Sequence, residues 1–348
     1  MKLLVFNPEH DLALAANLSN FTAPHAGRQL RADLGYIPAI WAAADDYVLV
    51  ENTEDAERHF LRLTRRPFGR FVDKNHIRNK GFVEVEVWGW DRAILTFLLR
   101  CGIDNSIMPT VTQIDTIREL SHRRYAMKLL ECLQMPGTIG KSQETNQVET
   151  IINLLHEGKQ LVVKAPWSSS GRGIRFMNGD MNIYDSGWLR NIISRQGSVL
   201  VEPYYNKVKD FGMEFVSDGS GVVSYVGLSL FQTINGAYTG NILAQEEDKT
   251  NILIRYIPAD LLNLVQQKIC IEMGELLKGR YTGAFGIDMM VVRRDDGEGF
   301  WLHPCVEINL RRTMGHVAIN LTKLCLGLPK LMKIELDENI YKIRIIKR

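Results

Sequence analysis

Between Ala284 and Ile308 the chain runs twice as an apolar strand with acids set inside it. The first, GIDMMVV from Gly286 to Val292, holds Asp288; the second, FWLHPCVEINLRR from Phe300 to Arg312, holds Glu307 and Asn309. A tight turn at Asp295-Asp296-Gly297 separates them, which predicts an antiparallel hairpin. An unpaired carboxylate within an apolar strand is costly, so the acids need a shared purpose. Residues two apart on a strand face the same way, so Glu307 and Asn309 point together, and pairing brings Asp288 beside them. Two carboxylates and an amide oxygen are the hard donors that magnesium takes while bound to phosphates.

A second pattern lies upstream, in LVVKAPWSSSGRGI from Leu161 to Ile174. Lys164 ends an apolar strand and the loop Trp167 to Gly173 follows, rich in hydroxyls and glycine. Backbone amides released by glycine, serine hydroxyls and a strand-held lysine together suit a phosphate. No Walker sequence is present, and a strand follows the loop where a P-loop has a helix. Between the two patterns, SVLVEPYY from Ser198 to Tyr205 exposes backbone able to pair with a base edge, and DFGMEF from Asp210 to Phe215 offers carboxylates to ribose hydroxyls.

The rest of the chain reads as an α/β framework around these elements. Leu3 to Phe6 is an apolar strand, followed by a helix near Thr22 to Leu34 and a strand at Ile37 to Trp41. Further on come Tyr47 to Val50, an amphipathic Asp55 to Leu63, Val83 to Trp88 and the helix Arg92 to Arg100. Residues 1–112 form one Rossmann-like unit in this reading, 113–200 a central subdomain with a lid, and 201–348 a subdomain with the metal site. Ser121 is the expected cap of a helix through Leu133, and a helix is expected over Gln143 to His156. Strands are expected at Gln160 to Ala165, Ile174 to Phe176, Val199 to Glu202, Phe211 to Ser217 and Val222 to Phe231, with one long helix over Pro258 to Leu277.

Lys and Arg total 42 against 40 Asp and Glu, so no long-range field attracts nucleic acid or a membrane. The basic run from Arg58 to Lys80 reads as a solvated surface. Five cysteines with no Cys-x-x-Cys pair exclude a disulfide framework and a zinc site, and place the chain in a reducing compartment, the cytoplasm. The opening apolar stretch is too short for a signal peptide or a membrane helix.

In order and spacing, the three motifs resemble the ATP-grasp superfamily, over roughly residues 115 to 325; its members include D-alanine:D-alanine ligases, glutathione synthetases and biotin carboxylases. The resemblance implies ATP and two magnesium ions as cofactors, with manganese as a substitute. It implies that Lys164 contacts the α and β phosphates and that Ser168, Ser169, Ser170, Gly171, Arg172 and Gly173 cover them. Glu202 and Tyr204 fall in the adenine-recognising segment, and Asp210 at the ribose acid. Asp288, Glu307 and Asn309 fall at the metal ligands, with Glu307 bridging two ions. Many members carry a phosphate-binding lysine in the helix that opens this region; here SHRRY from Ser121 to Tyr125 puts Arg124 in that place.

The activity implied is carboxylate-amine ligation through an acyl phosphate, with ADP and phosphate released. Small-molecule carboxylate and amine partners follow, and a homodimer is compatible with it. Arg311 or Arg312 is placed to steady the acyl phosphate. Asn7, Glu9, His10 and Asp11, after the first strand, and Trp90 and Asp91, after a later one, lie where open α/β units put ligand contacts; His10 is also a candidate base. The alternatives are an ATP-grasp kinase acting on a hydroxyl and a regulatory nucleotide-binding module.

Overall fold

The computed structural model describes the chain except for residues 65–67, 79, 169–172, 235–236, 325–328 and 348. The first strand, β1 (Lys2–Val5), buries Leu3, Leu4 and Val5. Such a strand suits the middle of a parallel sheet covered on both faces. Its loop leads into α1 (His10–Ala16) and α2 (His25–Leu34), then β2 (Tyr47–Leu49), α3 (Thr53–Leu63), β3 (Arg70–Val72), β4 (Glu84–Val87) and α4 (Arg92–Arg100). The four strands form a wholly parallel sheet in the order β3-β2-β1-β4.

One detail of this unit differs from the sequence reading. The strand expected at Ile37 to Trp41 is a 3-10 turn over Ile37–Ile40, where Pro38 has no amide hydrogen for a sheet ladder. The basic segment contributes β3 to the sheet. Around it Arg58 pairs with Asp55, and Arg70 and Lys80 lie over the Tyr47 ring.

The chain continues through α5 (Val111–Leu120) and α6 (Arg123–Cys132). Ser121 was expected to cap α6, but its hydroxyl donates back to the Ile117 carbonyl at 2.7 Å and closes α5. His122 caps α6, its Nδ1 accepting from the Arg124 amide at 3.0 Å. An antiparallel sheet in the order β5-β8-β6-β7 then follows. It is built from β5 (Gln143–Thr145), α7 (Val148–His156), β6 (Leu161–Lys164), β7 (Ile174–Met177), α8 (Ile183–Gln196) and β8 (Val199–Pro203). The helix expected from Gln143 starts only at Val148, because the residues before it pair with β8.

The remainder comprises β9 (Lys207–Ser217), β10 (Val223–Ser229), β11 (Phe231–Ile234), β12 (Ala237–Leu243), α9 (Glu246–Leu253), α10 (Ala259–Leu277), β13 (Gly283–Arg293), β14 (Phe300–Asn309), α11 (Met314–Leu324), β15 (Lys330–Asp337) and β16 (Ile340–Lys347). One sheet runs β10-β9-β13-β14 and another β11-β12-β15-β16. The strand expected over Val222 to Phe231 divides at the buried Leu230, where the chain leaves the first of these sheets for the second. Phe215 and Phe285 stack at 5.3 Å inside the first, in a core completed by α6 and α10.

The last sheet closes on the first unit. Met332 and Ile343 share one apolar cluster with Leu4, Phe6, Leu34 and Val48, and Val317 and Leu321 of α11 lie between. Cys101, Cys132, Cys270 and Cys305 are free thiols. Among the described residues no helix is long and apolar enough to cross a membrane.

Candidate active site

The register of β13 against its neighbours sets the chemistry. Asp288 lies directly opposite Glu307 on one side and Gly212 on the other, and Gly286 lies opposite Asn309 and Glu214. Directly opposed residues face the same side of a sheet, so Asp288, Glu307, Asn309 and Glu214 crowd one patch. Asn309 donates to Asp288 Oδ2 at 3.2 Å. Glu214, which the sequence reading did not single out as a ligand, is buried and fills space that glycines leave open. A Cβ at Gly286 would come 2.5 Å from Glu214 Oε2, and one at Gly315 would come 1.8 Å from Oε1. His316 Nδ1 stands 3.0 Å from the same carboxylate.

The three carboxylates of this patch lie close together in a low dielectric and repel one another. Burial, with Glu307 and Glu214 close by, pushes the Asp288 carboxyl up to about 8. The donors in the patch are oxygens only, the kind of donor that magnesium takes. Among the described residues no group of three or more His, Cys, Asp or Glu side chains is gathered closely enough to hold a metal ion. An ion shared with phosphates takes fewer donors from the protein.

Facing this patch is α6. Arg123, 6% exposed, donates to Glu307 Oε1 at 2.7 Å, to Ser168 Oγ at 2.7 Å and to the Ala165 carbonyl. Arg124, the residue expected here, turns away and forks onto Glu144 at 3.1 and 2.7 Å, joining α6 to β5. The cation that reaches the site is therefore one residue earlier than expected. Lys164 is buried in an ion pair with Glu202, Nζ to Oε2 2.7 Å. Ser168 and Gly173 form the base of the loop, closed by the Ala165 amide on the Gly173 carbonyl at 2.8 Å. Only glycine fits at position 173, since a Cβ there would sit 2.1 Å from that of Ser168. Ser169, Ser170, Gly171 and Arg172 lie outside the described residues.

The two arginines after β14 take different work. Arg311 grips Asp11 with two bonds, 2.9 and 2.7 Å, and donates to Asn309 Oδ1 at 2.9 Å. Arg312 binds Glu86 at 2.6 Å and stacks over Trp41, 4.4 Å from the ring centre. Of these two, Arg311 alone touches the acidic patch, through Asn309.

β1 and β4 are parallel neighbours, so the loops after them lie side by side. Asn7 donates to the Gly89 carbonyl, and His10 Nδ1 lies 3.3 Å from Asp91 Oδ2. His10 and Asp11 border a narrow cavity together with Trp167, Ser168, Glu307 and Asn309. Asn7 and Asp91 stand behind them. Glu9 is held by Arg31 at 2.8 Å, and Trp90 packs between two apolar clusters; neither borders the cavity. Tyr204 is half exposed, edge-on to Phe176, and Asp210 accepts from Lys207 and Thr233 at 2.6 Å each. A larger cavity of 640 Å³, between α3 and the β15–β16 hairpin, is lined by Arg62, Lys342 and Arg344 and lies apart from these groups.

No family model matches the sequence, and no curated protein does. Solved structures do. Biotin carboxylase from Campylobacter jejuni, in a β,γ-ATP complex, matches with a TM-score of 0.53 at 14% identity, over 97% of this chain and 77% of that one. N5-carboxyaminoimidazole synthetase from Staphylococcus aureus, complexed with ADP, gives 0.50 at 13%, over 97% and 83%. The N5-carboxyaminoimidazole ribonucleotide synthetase from Thermus thermophilus gives the same figures, 0.50, 13%, 97% and 83%. At such identities the likeness is one of architecture, and it extends over nearly the whole of this chain. With the antiparallel sheet β5-β8-β6-β7 and the acid-bearing β13–β14 pair facing each other across Arg123, the chain has the ATP-grasp fold.

Proposed function

We propose that the protein is a magnesium-dependent ligase that uses ATP to turn a small carboxylate into an acyl phosphate, joins it to an amine, and releases ADP and phosphate. One observation carries this reading: a single cavity is bordered by Glu307 and Asn309, by Ser168 at the base of the phosphate loop, and by His10 and Asp11 from the first β-α loop. A module that only bound nucleotide would have no use for that third wall. Two neighbours in fold were solved with adenine nucleotides, ADP in one and an ATP complex in the other.

Asp288, Glu307 and Asn309 would hold magnesium, which supplies charge neutralisation at the phosphates during transfer. Lys164 and Arg123 offset the remaining repulsion between ATP and the attacking carboxylate. For Arg123 this means trading Glu307 for a phosphate oxygen, so its ion pair with Glu307 keeps the acidic patch compensated until nucleotide arrives. Arg124 holds α6 to the lid sheet through Glu144. Glu202 and Tyr204 border the base and Asp210 the ribose. Arg311, fixed on Asp11, presents its guanidinium to the acyl phosphate. Residues 1–112 complete the substrate pocket.

The test is a panel of amino acids, dipeptides and small organic acids, each incubated with ATP, magnesium and hydroxylamine. The true carboxylate gives a hydroxamate in step with ADP, and oxygen label moves from the carboxylate into phosphate. AMP and pyrophosphate, or a stable phosphorylated alcohol, overturn the ligase reading and leave the fold standing.

A further inference from the structure

We propose that His10, oriented by Asp91, is the general base that takes the proton from the amine. The proposal rests on the ligase reading and assigns the residue that its second half-reaction requires.

His10, Asp91 and Asn7 are each no more than 2% exposed. Asp91 Oδ1 accepts from the amides of Ala93 and Ile94, at 2.9 Å each, which fixes the carboxylate as the cap of α4. Its Oδ2 accepts from Asn7 Nδ2 at 3.2 Å and faces His10 Nδ1 at 3.3 Å. Asn7 is clamped in turn on Gly89 by both ends of its amide, 2.8 and 3.3 Å. The backbone leaves room for the ring, since a Cβ at Gly89 would lie 2.5 Å from His10 Cγ.

A carboxylate opposite Nδ1 selects the tautomer protonated there and leaves the lone pair on Nε2. Among the described residues His10 Nε2 has no hydrogen-bond partner, while the residue borders the cavity that holds Ser168, Glu307 and Asn309. His122 Nε2 and the His303 ring also lack partners among the described residues but do not border this cavity, and as a rule a buried structural histidine engages both nitrogens. His316 does so, with Nδ1 at 3.2 Å from the Thr313 amide and Nε2 at 3.3 Å from the Phe215 carbonyl. The other charged groups near the cavity are already engaged: Asp11 gives both oxygens to Arg311, and Glu307 pairs with Arg123. Among the described residues bordering the cavity, His10 Nε2 is the proton acceptor left.

In the step assigned, the nitrogen of a neutral amine attacks the acyl carbon, the C–N bond forms, and the C–O bond to phosphate breaks. The N–H proton passes to His10 Nε2. The imidazolium then hands it to the departing phosphate, which restores the base with no other reactant.

The experiment uses the carboxylate that forms hydroxamate fastest in the panel and compares two nucleophiles, ammonia and hydroxylamine, the second of which attacks without base assistance. His10→Gln is expected to slow amide formation from ammonia by roughly 10²–10⁴-fold, with a much smaller loss of hydroxamate. Asp91→Asn should show the same selective loss to a lesser degree. Equal losses with both nucleophiles overturn the proposal and make the pair a structural tie. A wild-type protein that forms no hydroxamate with any acid overturns the ligase reading, and the proposal with it. Nitrogen-15 spectra of the imidazoles give a readout free of turnover: in the neutral His10 ring the proton is expected on Nδ1, and a neutral ring protonated on Nε2 overturns the assignment.

Discussion

His303→Leu is expected to remove a defined share of the acid sensitivity of the nucleotide-free protein. His303 sits on β14 with no exposed surface, edge-on to Tyr205 at 5.6 Å, and among the described residues neither ring nitrogen has a hydrogen-bond partner. Burial, helped by the charge of Lys164, pushes its imidazole down to about 3. The unfolded ring titrates near the ordinary value of about 6.5. Between those two values the unfolded chain holds a proton that the folded chain does not, so stability falls as pH falls. The slope is about 1.4 kcal/mol per pH unit, or roughly 2 kcal/mol between pH 6.5 and 5. Above pH 6.5 both states are neutral and the effect vanishes. Leucine removes the titration, so the stability of the variant relative to wild type should rise by about 2 kcal/mol between pH 7.5 and 5. At pH 7.5 the variant should be no less stable, because unpartnered buried nitrogens cost about 1–3 kcal/mol each. Urea unfolding at several pH values measures both quantities. Parallel pH profiles for the two proteins would refute the reasoning, since they would mean the native ring takes up its proton as readily as the unfolded one.

Lys164→Ala should reduce the thermal stabilisation by Mg-ATP and also lower the stability of the free protein by about 3–5 kcal/mol, because Glu202 is left buried without its cation. The exposed Lys159→Ala should change neither in the same melting series. Glu307→Gln should cut turnover by roughly 10²–10³-fold while nucleotide affinity, read by titration calorimetry, changes far less; normal turnover would remove the metal assignment. Arg311→Lys should lower kcat by roughly 10–100-fold, because ammonium cannot reproduce the fork on Asp11. Arg312→Lys should instead lower stability by about 1–2 kcal/mol with kcat little altered, and equal losses of kcat would refute this division of labour.

The acidic hairpin was legible because a strand has a period of two and a tight turn fixes which residues oppose. Asp288 and Glu307 needed no more than that. The helix that opens the ATP-grasp region was harder. Serine outranks histidine as a cap, yet the Ser121 hydroxyl closes the preceding helix and His122 takes the cap. Each helical residue turns the side chain by about 100°, so choosing Arg124 over Arg123 selects the wrong face. Glu214 was hidden for another reason. Its place depends on Gly286 and Gly315, which come from other elements and leave the room its carboxylate fills. The union of β15 and β16 with the first unit had no local signal either, because Ile343 and Leu4 meet only in the folded chain.

Arg311 and Arg312 follow β14 without a break, and each ends on the N-terminal unit, one on Asp11 and the other on Glu86. A cleft that opens by swinging that unit away has to part both pairs together. Arg311 also holds Asn309, so a swing of that unit would withdraw support from Asn309, and closing would restore it. Opening and the alignment of Asn309 would be geared to one another. The same gearing predicts that the chain severed near residue 112 yields a nucleotide-binding remnant whose acidic patch has lost its alignment, and that mixing the two pieces recovers activity only to the extent that these arginines find their acids again.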